Sequence, residues 1–267
     1  MDVGELVKRD NISIITMTNS GYLDFTRNCI KSLEKIGIFN LLKVYCVDEK
    51  CYRELGKEYK NVVLMDHVYG DSVNNLQKFP RTWQKMMKNS NTKSTFKDLV
   101  FLKFNAISHA LENSSFVMLV DGDVVFLNDE FLNYAYNAIE NFDILFQSET
   151  DGVDKDNPCS GLIFMKSTNV VKDFFNLTTV MEDESWDTFI GDQDYVIKNC
   201  NKLNYNYLPV ELYPNGRYMF SDTGSVYRRF NYYKRNRASV SPYMIHYNWL
   251  RSTQKLNIMR RTNGWYI

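Results

Sequence analysis

An α/β fold with a mostly parallel central sheet flanked by helices is the prediction for this chain, and three observations carry it. Short β-branched apolar runs alternate with segments of helical spacing through residues 12–66, the βαβαβ pattern that right-handed crossovers turn into a parallel sheet. A later run, "FVMLVD", is too apolar for an edge strand and reads as central. No internal repeat, low-complexity segment or Pro/Gly/Ser linker interrupts the chain, so residues 1–267 are expected to form one continuous domain.

The elements follow in order. "ISIITMT" (12–18) reads as a buried strand. The next segment places Phe25, Cys29, Leu33 and Ile36 on one helical face, entered through Asn19-Ser20 and stopped by Gly37. "LLKVYCVD" (41–48) is the second strand, "CYRELGKEY" a short helix and "NVVLMD" (61–66) the third strand. Residues 67–97 break the rhythm; this polar, irregular stretch with Trp83 in "FPRTW" reads as a partly helical excursion over a cleft. Val100, Phe104, Ile107 and Leu111 restore helical spacing before "FVMLVD". "DILFQ" (143–147) and "SGLIFMKS" (160–167) are further strands, with helical patterns at 168–181 and 192–200.

Composition narrows the function. Hydrophobic residues make up 44% and charged residues 24%, as in ordinary globular chains. With 32 basic and 32 acidic residues the net charge is zero, so nucleic acid is not an expected partner. The five cysteines are odd in number and form no CxxC, which favours buried free thiols over disulfides or zinc. No apolar run approaches the length of a membrane span and the start lacks a signal-peptide core, so a soluble, cytoplasmic protein is expected. Nothing in the sequence speaks for an oligomeric state. Aromatics at 15% suit a ligand cleft but are mostly core in any fold. The basic-aromatic run "VYRRFNYYKRNR" (226–237) can stack on sugars or meet an anionic acceptor, though most basic runs are simply solvated.

The chemistry centres on "VDGDVVFLND". Asp121 and Asp123 flank Gly122 at the end of an apolar strand, where charge is costly unless compensated. Ligands of open α/β sheets settle beyond such strand ends. Hard carboxylate oxygens suit Mg²⁺ or Mn²⁺, and Gly122 lets the backbone turn without side-chain bulk. Taken alone, the tripeptide more often marks a solvated turn; the flanking apolar strand brings the two readings level. "GDQDYVI" sets Asp192, Gln193 and Asp194 at a helix start, where acids also serve the helix dipole. His246, in "YMIHYNWL", is one of three histidines and a candidate third ligand; a structural histidine is the plainer reading.

In order, "VDGDVVFLND", "CSGLIFMKST", "GDQDYVI" and "HYNWLRSTQKLNIMRRTNGWY" resemble the nucleotide-diphospho-sugar transferases, as does the opening "ITMTNSGYLDFTRNCIKSLEKIGI". These are GT-A-fold (Rossmann-like) glycosyltransferases, among them the plant α-xylosyltransferases and, more distantly, glycogenin-like enzymes. The likeness covers roughly residues 10–265. It implies a nucleotide-binding half at about 10–125 and a donor-sugar and acceptor half at about 126–267. It also implies a nucleoside-diphosphate sugar donor, UDP-linked, a glycan or other hydroxyl acceptor, Mn²⁺ or Mg²⁺, and retention of anomeric configuration.

Residue by residue, the resemblance makes Asp121, Asp123 and His246 the metal ligands. Thr16, Asn19 and Tyr22 fall where the first strand meets base and ribose, with Asp48 a further contact. Lys103 and Gly122 lie by the nucleotide or donor, and Cys159 and Ser160 beside the donor sugar. The cysteine departs from the family's usual Asn. Lys255 matches a diphosphate-binding lysine, although the usual glycine before it is missing. Asp192 and Gln193 match the donor-sugar region; Asp192 is the candidate nucleophile of a double displacement and Gln193 a candidate stabiliser of an oxocarbenium-like centre, with front-face transfer favoured. A metal-dependent nucleotidyltransferase or an inactive sugar-binding module are the alternatives. The first would want a basic glycine-rich loop where "TNSGYLDF" stands.

Overall fold

The computed structural model describes residues 3–38, 41–65, 93–150, 157–220, 241–250 and 252–267. The core of the 67–97 excursion, with Trp83, and the 226–237 basic-aromatic run lie outside the described residues. Residues 93–97 open a helix.

In chain order the elements are α1 (Val3–Arg9), β1 (Ile12–Thr18), α2 (Leu23–Lys35), β2 (Leu42–Cys46), α3 (Glu49–Gly56), β3 (Val62–Leu64), α4 (Lys93–Asn113), β4 (Phe116–Val120), β5 (Val124–Phe126) and α5 (Glu130–Ala138). Then come β6 (Ile144–Ser148), β7 (Pro158–Lys166), α6 (Asn169–Phe174), α7 (Leu177–Met181), α8 (Asp192–Asn199), β8 (Tyr205–Leu208), α9 (Gly216–Phe220), β9 (Met244–His246) and α10 (Ser252–Arg261).

Seven strands form one sheet in the order β3-β2-β1-β4-β7-β6-β8, and β5 pairs with β9 in a two-stranded annex. All pairs in the main sheet are parallel except those of β7, which runs antiparallel to β4 and β6. The expected α/β architecture with a mostly parallel sheet is therefore found. The chain lays down β1, β2 and β3 outward on one side and returns through α4 to set β4 on the other side of β1. The strand order reverses between β1 and β4, and open α/β sheets bind their ligands beyond the strand ends at such a switch point.

Unbroken apolar runs became strands because both faces of the sheet are covered. Met118 and Val120 face one layer with Cys29, Leu33 and Leu55, while Val117 and Leu119 face the other with Phe104, Ile107 and Phe175. Gly37 ends α2 as expected, with φ 79° and its amide bonded to Glu34 O at 3.0 Å. The pattern at 168–181 is two helices instead of one, because the Asn176 side chain accepts from Thr178 N at 2.9 Å and caps a new start. A third apolar cluster joins Val125 and Ile245 of the annex to Tyr247, Leu250 and Met259, and so docks α10 against the annex.

Candidate active site

The D-G-D turn bridges the two sheets. Asp121 follows β4, and its amide donates to Gly161 O of β7 at 2.7 Å. Asp123 precedes β5, whose Val124 lies opposite His246 in β9. Tyr247 N donates to Asp123 O at 3.1 Å and extends that ladder. Strand register thus brings residue 246 to residues 121 and 123. One ligand atom from each of Asp121, Asp123 and His246 lies within 4.8 Å of the others.

Glycines make the approach possible. A Cβ on Gly161 would stand 2.3 Å from Asp121 Oδ2 and 2.7 Å from His246 Cε1. A Cβ on Gly122 would meet Thr26 Oγ1 at 2.6 Å, so it is the packing of α2 that demands glycine there.

His246 is 1% exposed. Its Nδ1 is 2.7 Å from Gln147 Oε1, while Nε2 is 3.4 Å from Asp123 Oδ1 and 3.8 Å from Asp121 Oδ2. Nε2 is buried without a hydrogen-bond partner. Burial works against an imidazolium here, but the Asp123 and Asp121 carboxylates outweigh it and hold the pKa above the ordinary histidine value. A ring nitrogen without a hydrogen-bond partner facing two carboxylates forms a group that could hold a cation. The donor set, one imidazole and two hard oxygens, fits a divalent ion of the Mn²⁺ or Mg²⁺ kind.

Two buried lysines complete the charge pattern. Lys103 Nζ is 3.0 Å from Asp121 Oδ1 and 2.9 Å from Asp192 Oδ2, and it donates to Ser160 O at 3.3 Å. Burial opposes its charge, yet Asp121 and Asp192 raise its pKa well above the usual lysine value. Asp192 Oδ2 accepts no aligned hydrogen bond. Lys255, on α10, pairs with Asp123 Oδ2 and donates to Tyr22 OH at 2.6 Å. Burial first, and the Lys255 and His246 charges against it, leave Asp123 held far below the usual carboxylate range. Burial and the two aspartates keep the Tyr22 phenol protonated.

The remaining candidates take their places around this cluster. Gln193 Oε1 accepts from Ser160 N at 2.8 Å, and its amide donates to Pro158 O, so its side chain braces the start of β7. Cys159 is buried, with Sγ 3.8 Å from His246 Nδ1; burial and Glu149 hold it as a neutral thiol. All five cysteines are free and buried. Thr16 is buried on β1 and its hydroxyl has no partner. Asn19 and Asp48 organise the β1–α2 turn: Asn19 Oδ1 accepts from Gly21 N at 2.9 Å, and Asp48 Oδ2 from Ser20 N at 2.7 Å. Asp48 also caps α3 through Cys51 N.

Two participants escaped the sequence reading. Gln147, fully buried on β6, holds His246, and its signal was a carboxamide ending the apolar run "DILFQ". Asn248 links the chain after β9 to Gly216 N at 2.8 Å and to Glu149 Oε1 at 3.1 Å, which local pattern alone does not reveal. Among the described residues, no helix is long and apolar enough to cross a membrane.

Known proteins resemble this chain in sequence and in fold. A UDP-galactose:fucoside alpha-3-galactosyltransferase of Dictyostelium discoideum is 23% identical over 278 residues, covering 90% of this chain; the chain spans 40% of that relative's length. Mouse xyloside xylosyltransferase 1 superposes with a TM-score of 0.52 at 14% identity, over 89% of this chain and 97% of its own. An active-site mutant of the enzyme LgtC gives 0.57 at 13% identity, over 94% of each chain. These likenesses identify the fold as GT-A. The family model for nucleotide-diphospho-sugar transferases matches residues 40–259. With most of its length matched, the chain belongs to the nucleotide-diphospho-sugar transferase family.

Proposed function

We propose that this chain is a metal-dependent glycosyltransferase that moves a sugar from a UDP-linked donor to a hydroxyl of a glycan acceptor, with retention of anomeric configuration. One observation carries the reading: His246 Nε2, buried and unpartnered, faces Asp121 and Asp123. Family membership supports a nucleotide-sugar donor, and the name of the Dictyostelium relative supports UDP as its nucleotide.

In this reading Asp121, Asp123 and His246 hold Mn²⁺ or Mg²⁺. The ion supplies Lewis-acid stabilisation of the charge that develops on the departing diphosphate. Lys255, at the edge of the same cluster, turns its ammonium from Asp123 toward phosphate oxygens. Thr16, Asn19, Tyr22 and Asp48 line the base and ribose side, at the ends of β1 and β2. The half of the chain at about 10–125 serves the nucleotide, and the half at about 126–267 the sugar and acceptor.

Lys103 holds Asp121 and Asp192 together, so metal site and sugar site share one counter-charge. Asp192 Oδ2 is buried 2.9 Å from Lys103 Nζ. A carboxylate already paired with an ammonium is a weakened nucleophile, which supports front-face transfer over double displacement. Gln193, tied to the backbone of β7, sets the floor of the sugar site beside Cys159 and Ser160.

Isothermal titration tests the proposal. UDP is expected to bind with heat that depends on Mn²⁺, and Asp123→Ala to abolish that dependence. Equal Mn²⁺-dependent binding by the variant would remove the metal role. A hydrolysis screen over UDP- and GDP-sugars is expected to single out one donor; turnover of none, with or without glycan acceptors, would leave a sugar-binding module.

A further inference from the structure

We infer that Gln147 is a positioning residue: it locks His246 in the Nδ1–H tautomer and aims the Nε2 lone pair at Asp121 and Asp123. The inference rests on the metal reading of that cluster and adds to it a residue outside the ligand set.

Gln147 is 0% exposed on β6, a strand buried along its length. A carboxamide in such a place is costly unless both of its ends are bonded. Both are. Nε2 donates to Tyr213 O at 2.8 Å, and Oε1 lies 2.7 Å from His246 Nδ1. The Tyr213 carbonyl can only accept, so it fixes which end of the amide is nitrogen and turns the oxygen to the ring. An oxygen at that distance from Nδ1 requires a proton on Nδ1. In the neutral imidazole Nε2 then carries the lone pair, and it is this nitrogen that lacks a partner.

Asp123 and Asp121 face the opposite nitrogen, Nε2, and attract a cation or a proton to it, while Nδ1 has Gln147 and a thiol beside it. Cys159 Sγ, 3.8 Å from Nδ1, is a neutral thiol and competes weakly for the same proton. The backbone of residue 246 is held on its own account, opposite Val124 and by donation to Pro214 O at 3.0 Å. What remains for Gln147 to decide is ring rotation and tautomer. Outer-shell partners of this kind alter metal affinity by roughly 10–100-fold.

Nitrogen-15 NMR of the metal-free protein reads the tautomer directly, at a pH high enough to leave the ring neutral. The resonance is assigned by comparison with His246→Gln. The native chain is expected to show Nδ1–H at His246, and an Nε2–H tautomer there would overturn the inference without any variant being made. Gln147→Met, similar in length but without an acceptor, should lose the tautomer preference and bind Mn²⁺, alone or with UDP, about 10–100-fold more weakly. Gln147→Glu keeps an acceptor for Nδ1 but gives up donation to Tyr213 O, so it should restore the Nδ1–H signal at some cost in stability. A folded Gln147→Met with native tautomer and native Mn²⁺ affinity would also overturn it. A native chain that shows Nδ1–H yet binds no Mn²⁺ would instead defeat the metal reading and leave the tautomer lock standing.

Discussion

Replacing Gly161 by alanine tests how closely the site is built. The added carbon would lie 2.3 Å from Asp121 Oδ2, whereas ordinary contact begins at 3.4 Å. The Asp121 carboxylate must therefore retreat by about 1 Å, and His246, whose Cε1 would be 2.7 Å away, is pressed from the same side. Neither can yield freely: Asp121 is held by Lys103 at 3.0 Å and His246 by Gln147 at 2.7 Å. Displacements of about 1 Å at reacting centres cost about 10²-fold in rate. That corresponds to about 2.7 kcal/mol of lost transition-state stabilisation. The assay pairs Mn²⁺-dependent UDP binding with kcat/KM for donor hydrolysis, and circular dichroism verifies folding. A folded Gly161→Ala variant with native affinity and turnover would refute the claim that Asp121 and His246 are placed by the missing side chain.

Further expectations follow from the buried charges. Lys103→Met strands Asp192 and Asp121, and should cost about 3 kcal/mol in urea unfolding. Adding Asp192→Asn should recover part of that loss, and an unchanged unfolding midpoint in the single variant would count against the pairing. His109 offers a pH test away from the site. Burial first, then nearby Lys43, hold its pKa below the ordinary 6.5. The unfolded chain therefore takes up a proton that the folded one refuses, and stability falls as pH drops through that value. The stability difference between native protein and His109→Gln should decline from about pH 7 to pH 5, whereas a flat difference would show that His109 titrates normally.

Much of the architecture was legible because its causes are local. Phe116–Val120 is apolar throughout and Ile12–Thr18 and Leu42–Cys46 are mostly apolar or β-branched, the pattern a doubly covered sheet accepts. Gly37 could be read as a helix stop because a left-handed residue there favours glycine. Asn176 is of a capping residue type, but the helical spacing around it hides the break that its cap makes.

The acids of the D-G-D turn and the imidazole of residue 246 were nominated from residue type and from resemblance. Distance along the chain could not bring them together. That was decided by the pairing of β5 with β9, two strands of three residues each, too short to carry a periodic signal. The antiparallel run of β7 likewise depends on which neighbours it finds, and it delivers Gly161 to Asp121. Gln147 gains its meaning only when Tyr213 and His246 occupy its two ends. Residue chemistry and local periodicity determined the longer strands and most of the helices that flank them, and with the resemblance nominated the candidate ligands. Long-range packing decided which of them meet, because the energy of a buried charge or carboxamide depends on partners that only the folded chain supplies.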